Sequence, residues 1–198
     1  MSALWQQVIA TSALEWFGTL TGLVAVALSV RQHRLAWPLF IACYAAYVWL
    51  SVDAGLIAAA AMNGVFIILS IEGWRSWKAG EADEDQAFRV RPGSVGTWVS
   101  ATAAWVGATA AISIVLLVSG KTESPVLDAT ATAAGFVAQW LLTRKLVATW
   151  AFWLLSDIAF MVLYGRAGYG LTVGLFAVFV GLALHGAYTW TRTTQEDA

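Results

Sequence analysis

Apolar residues in this chain come in seven long stretches, at about 13–30, 36–52, 55–74, 97–119, 127–143, 147–165 and 169–190, parted by short charged segments. A helix that crosses a bilayer needs roughly 20 mainly apolar residues. A soluble fold of 198 residues cannot bury seven such stretches. With 60% hydrophobic and only 12% charged residues, it would also lack the polar surface to coat itself. The pattern predicts an all-α integral membrane protein with seven transmembrane helices.

The basic residues orient those helices, because Lys and Arg collect in cytoplasmic loops. Under the seven-span assignment Arg31, Arg34, Arg75, Lys78, Arg89, Arg91, Arg144, Lys145 and Arg192 fall on one side, and only Lys121 and Arg166 on the other. The N-terminus is therefore expected outside and the C-terminus in the cytoplasm. The start lacks the basic region and small-residue cleavage site of a secretory signal, so the first span is expected to direct insertion itself. The single Cys43 leaves no internal disulfide and says nothing of the compartment. Lys78–Gly93, with Glu81, Asp83, Glu84 and Asp85, reads as a solvated connector without a ligand-binding pattern.

A shift of 113 residues, the separation of Glu15 from Asp128, brings two parts of the chain into register without gaps. Gly22 meets Gly135, Arg31 meets Arg144 and Trp37 meets Trp150. Ala54-Gly55 meets Ala167-Gly168, Val65-Phe66 meets Val178-Phe179, Gly73 meets Gly186 and Trp77 meets Trp190. Single matches mean little in an apolar chain, but Arg, Trp and Gly matches at one offset define an internal repeat. Two adjoining three-helix units would be inverted; the intervening fourth helix makes them parallel, as the charge count requires. The expected plan is 3+1+3, two parallel three-helix repeats joined by a linker helix, with a site near the midplane between the halves. The divisions are a tail or interfacial segment at 1–12, the first repeat at 13–77 and a cytoplasmic connector at 78–96. The linker helix and extracellular loop follow at 97–126, the second repeat at 127–190 and a cytoplasmic tail at 191–198.

Polar groups inside a bilayer are costly and mark functional sites by default. Asp157 lies roughly 10 Å inside the cytoplasmic end of its helix, and its repeat mate is Tyr44. Asn63 lies roughly 12 Å from the outer end of the third helix, and its mate is Phe176. Gln139 and Trp140 add an amide and a flat ring. The competing explanation is that Asn63, Gln139 and Asp157 only tie helices together by hydrogen bonds. Glu72 and His185, also repeat mates, sit near the cytoplasmic ends of helices three and seven. They suit a gate across the pseudo-twofold axis, or simply reach water at the interface.

Of 12 Trp residues, Trp5, Trp37, Trp74, Trp77, Trp98, Trp150 and Trp190 lie near helix ends, where an aromatic belt is expected. Trp49, Trp105, Trp140 and Trp153 lie deeper. Rings with one or two polar groups suit a flat aromatic solute, and a cationic one gains cation–π attraction.

The residues Glu15-Trp16-Phe17-Gly18, Thr21-Gly22, Arg31, Trp37-Pro38, Gly55 and Gly73-Trp74 with Trp77 resemble the first half of PnuC-type vitamin transporters. Asp128, Ala138-Gln139, Arg144-Lys145, Trp150 to Trp153, Tyr164, Gly168-Tyr169 and Gly186 with Trp190 resemble the second half. The resemblance spans nearly the whole chain beyond the first dozen residues. It implies a SWEET-like fold, often a homotrimer, in a bacterial cytoplasmic (inner) membrane. It implies facilitated diffusion of nicotinamide riboside, a vitamin B3 nucleoside, made one-way by phosphorylation in the cytoplasm. Other members carry thiamine, riboflavin or deoxynucleosides. The family's site has aromatic rings around the base and amides bonding the ligand. On this chain it is expected at Tyr44, Trp49, Asn63, Gln139, Trp140, Trp153, Asp157 and Phe176, with Glu72 and His185 as a gate. The chain departs from the family where Asn63 replaces a frequent Gln, Glu72 a Tyr and Asp157 an Asn, and where His185 stands at a position that can hold Asn.

Other classes fit less well. A retinal photoreceptor needs a Lys in the last helix, and 169–190 has none. A metallohydrolase needs clustered ligands, but His33 and His185 are the only His residues and no H-E-x-x-H occurs. No enzyme activity, cofactor or metal is expected, and nothing points to nucleic acid. A non-transporting membrane scaffold would explain the helices, but not polar residues at repeat-related mid-depth positions.

Overall fold

The computed structural model describes residues 7–9, 11–82, 89–120 and 122–196. Trp5, Asp83, Glu84, Asp85 and Lys121, all weighed above, lie outside them. The chain runs through α1 (Ala13–Val30), α2 (Ala36–Asp53), α3 (Ile57–Ala82), α4 (Val95–Ser119), α5 (Pro125–Thr143), α6 (Thr149–Arg166) and α7 (Gly170–Glu196). Each expected stretch is thus a helix. Ends are set by local chemistry: Ser12 Oγ accepts the Glu15 N–H to cap α1, and Ser94 and Thr97 form a capping box on α4. Gly120, in the left-handed region at φ 61°, closes α4, and Pro125 opens α5.

α3 and α7 run past their apolar stretches, to Ala82 and Glu196. Trp77 and Trp190, near these ends, bury their indoles against Trp37 and Trp150. Five helices, α1 to α4 and α7, are long and apolar enough to cross a membrane. The protein is a multi-pass membrane protein. α5 and α6 fall outside that set; they carry Asp128, Gln139 and Asp157 and several Thr and Ser.

The chain forms two compact units, Met1–Arg89 and Val90–Ala198. In the first, α2 packs against both α1 and α3. In the second, α6 packs against both α5 and α7, and α4 covers α5. That extra cover leaves α5 buried along most of its length, from Ala129 to Thr143.

The 113-residue repeat extends to the backbone. Gln32 and Lys145 adopt left-handed φ values of 55° and 51°, and Gly55 and Gly168 values of 70° and 78°. In the first turn the N–H groups of Gln32, His33, Ala36 and Trp37 bond to the carbonyls of Ser29, Leu28, His33 and Arg34. In the second, those of Lys145, Leu146, Thr149 and Trp150 bond to Leu142, Leu141, Leu146 and Val147.

The tryptophans at the helix ends divide in two. Trp74 and Trp98 are 44% and 42% exposed, as a belt requires. Trp37, Trp77, Trp150 and Trp190 are instead at most 1% exposed, which corrects their assignment to the belt. Trp37 and Trp77 pack edge to face at 5.3 Å and 86°; Trp150 and Trp190 do so at 5.3 Å and 87°. A Cβ added at Gly73 or Gly186 would fall on the Trp37 or Trp150 ring. Glycine there removes the atom that would hold the helices apart. Truncating such a ring costs about 3–5 kcal/mol in a packed interior.

Candidate functional site

In the second unit, Trp153, Asp157, Phe160 and Tyr164 share one face of α6, being spaced as i, i+4, i+7 and i+11. Across from them on α7, Phe176 lies 5.1 Å from Phe160 and 5.7 Å from Tyr164, nearly parallel to both. Phe179 and Tyr169 extend the ring cluster, against Phe176 and Tyr164 respectively. Asp157 thus stands one turn from a row of stacked rings. It is only 5% exposed, and among the described residues no hydrogen bond or ion pair reaches its carboxylate. A carboxylate so buried needs a counter-charge, water or a proton. A carboxylate beside flat rings is a receptor for an aromatic cation.

Gln139 is fully buried on α5. Trp140 and Trp153 pack against a cluster formed by Ala101, Val137, Ala138, Leu141, Leu146, Ala148 and Phe152. The Arg144 guanidinium lies over the Trp140 ring at 4.1 Å, so that face already holds a cation. Two short bonds hold α6 on α5: Thr149 Oγ1 donates to the Ala138 carbonyl at 2.7 Å and Ser156 Oγ to the Ala131 carbonyl at 2.8 Å. They fix the rotation of α6, and with it the direction of its Asp157 face.

In the first unit, Tyr44 lies between Phe40 and Phe66, nearly parallel to both at 6.0 and 4.7 Å. Thr19 Oγ1 and Tyr47 Oη are 3.0 Å apart and join α1 to α2. Asn63 is half-buried and its Nδ2 donates to the Ala59 carbonyl at 2.9 Å, which occupies part of its donor capacity. Trp49 is 70% exposed, on the outside of its unit. Glu72 and His185 are both exposed, and the Ser76 hydroxyl donates to Glu72 Oε1 at 3.4 Å.

The structure therefore brings Asp157 and Phe176 to one α6/α7 ring cluster and Tyr44 to an α2/α3 stack. Phe160 and Tyr164 belong to that cluster, and Phe40 and Phe66 to the stack; sequence reasoning passed over all four. The signal for them was helical spacing, since each stands three, four or seven residues from a residue already chosen or pairs with it across the next helix.

A family model described as nicotinamide mononucleotide transporter matches residues 12–192. A solved structure, the vitamin B3 transporter PnuC, is similar in fold with a TM-score of 0.76. The match covers 98% of this chain and 89% of that one, at 19% sequence identity. No curated protein matches the chain. The match over nearly the whole length, on helices in the order that the solved transporter shares, places this chain in the nicotinamide mononucleotide transporter family, a family of transporters rather than enzymes.

Proposed function

We propose that this protein mediates facilitated uptake of nicotinamide riboside through a mid-depth aromatic and amide site. The carrying observation is Asp157, buried at the end of the Phe160, Tyr164 and Phe176 row. Nicotinamide riboside has a flat, positively charged pyridinium ring, which gains from stacking and from the carboxylate. The family description names the mononucleotide, but the candidate set of Tyr44, Trp49, Asn63, Gln139, Trp140, Trp153, Asp157 and Phe176 holds no Lys or Arg, and Arg144 beside it is engaged on the Trp140 ring rather than at Asp157. Asp157 would repel a phosphate. Charge complementarity therefore favours the riboside over its phosphate. Thiamine, whose thiazolium is also a cationic ring, is the second reading on the same observation; riboflavin and neutral nucleosides gain less.

In this reading all seven helices cross a bacterial cytoplasmic membrane in the SWEET-like 3+1+3 plan, as two parallel repeats with the N-terminus outside and the C-terminus inside. α5 and α6 are the more polar pair because protein, rather than lipid, surrounds them. Glu72 and His185 form the gate, and the working assembly is a homotrimer. A thermal-shift panel on purified protein tests the solute: nicotinamide riboside should stabilise most, ahead of its mononucleotide, thiamine, riboflavin and uncharged nucleosides. Preference for any other solute overturns the assignment. Counterflow in liposomes separates a transporter from a scaffold, which would move none of them.

A further inference from the structure

The connector ends in a feature that solute transport does not use. Arg91 forms an isolated parallel bridge with Leu146: its N–H donates to the Lys145 carbonyl at 3.0 Å, and its carbonyl accepts the Val147 N–H at 2.9 Å. The exposed Arg91 side chain is thereby held beside the α5–α6 turn, which carries exposed Arg144 and half-buried Lys145. Three cations gather at one end of the unit. They stand on the side where the chain concentrates its basic residues.

Immediately beyond the bridge, a groove of about 220 Å³ runs between α4 and α6, lined by Trp98, Thr102, Trp105, Ala151, Phe152 and Leu155. Trp98 stacks on Phe152 at 6.2 Å near the start of both helices. The mouth of the groove therefore lies roughly 5–10 Å from the bridge, one to two helical turns. The groove is apolar apart from Thr102, and a second apolar groove of about 730 Å³ along α4 shares Trp98 and Thr102 with it. It suits a length of hydrocarbon chain rather than a vitamin.

We propose that this is a binding site for an anionic phospholipid, with an acyl chain in the α4/α6 groove and the headgroup phosphate on Arg91, Arg144 and Lys145. The occupant follows from charge and place together. Basic groups at a membrane surface attract anionic lipid headgroups, and pockets between helices on the basic side can seat one. The apolar groove next to them fits the other end of the same molecule. Arg144 keeps its contact with Trp140 and adds its charge to the field. The site shares no residue with the candidate solute set, although Arg144 touches Trp140 of that set, so lipid retention and solute binding are read separately.

The test is native mass spectrometry and thermal shift on the full chain in detergent, with dioleoylphosphatidylglycerol, dioleoylphosphatidylcholine or inorganic phosphate. Phosphatidylglycerol should remain bound and raise the melting temperature, while the other two do neither. Combining Arg91→Gln with Lys145→Gln, the latter giving that turn the residue found at Gln32, should weaken retention about fivefold per charge removed. Thr102→Trp, which fills the groove from an exposed position, should also release the lipid while leaving nicotinamide riboside binding unchanged. Equal retention of phosphatidylcholine overturns the proposal. So does stabilisation by phosphate alone, or full retention of phosphatidylglycerol by the double variant.

Discussion

In α1–α3 the tryptophan pair, the left-handed turn residues and the turn hydrogen bonds stand where they stand in α5–α7, yet the residues in the middle of the helices differ in kind. Tyr44 between two phenylalanines corresponds to a nearly bare Asp157, and Asn63, bonded to its own helix, to the stacked Phe176. The means of holding the middle helix differ as well. α6 is tied to α5 by Thr149 and Ser156, whose mates Ala36 and Cys43 form no such bond to a backbone carbonyl, and α2 is tied to α1 through Thr19 and Tyr47. Even a defect is shared: the Trp37 and Trp150 Nε1 atoms are both buried without a hydrogen-bond partner among the described residues. Such an orphaned donor costs about 1–3 kcal/mol, and both repeats bear it for the sake of the ring's shape. The duplicated parts position helices, and the parts that differ hold the proposed solute site.

That division can be broken most forcefully at the glycines. Gly73→Ala and Gly186→Ala each push a Cβ into a tryptophan ring, and each should destabilise the protein by about 3 kcal/mol, read as melting temperature in detergent. Unequal losses would mean that the two locks do not carry equal weight. Next, Asp157→Asn should weaken nicotinamide riboside binding about 30-fold, the scale of a lost charge-assisted contact, and Tyr44→Phe far less. Equal losses would remove the asymmetry on which the solute assignment rests. Thr149→Val should cost about 1 kcal/mol of stability, whereas Ala36→Val probes the same position where no such bond exists. The smallest effect is expected at Glu72→Gln, since both residues of the proposed gate are exposed: about a twofold change in the pH profile of transport. An unchanged profile removes the gate.

The helices were legible because hydrocarbon imposes length and apolarity on sequence, and the repeat because Gly and Trp matches at one offset have few other causes. What escaped was direction. Trp37 and Trp150 lie close to helix ends, and axial position alone suggests the membrane interface. Only their pairing with Gly73 and Gly186, visible in the same register but not read as contact, turns them inward. Asp157 was legible as an expensive charge at depth. Its companions Phe160 and Tyr164 were hidden among many aromatic residues, because a ring's partners depend on helix rotation, and that is set by Thr149 and Ser156 through bonds to backbone carbonyls.

The bridge between Arg91 and Leu146 has a bearing on how the chain tolerates being cut. It fastens the entry to α4 onto the α5–α6 turn, and the Trp105 Nε1 bond to the Thr130 carbonyl at 3.2 Å fastens α4 to α5 again farther along. The covalent link between those helices, from Gly120 to Ser124, is therefore not the sole attachment of α4. A backbone nick there would leave the linker helix seated, so two polypeptides divided at that loop should reassemble into the same four-helix unit.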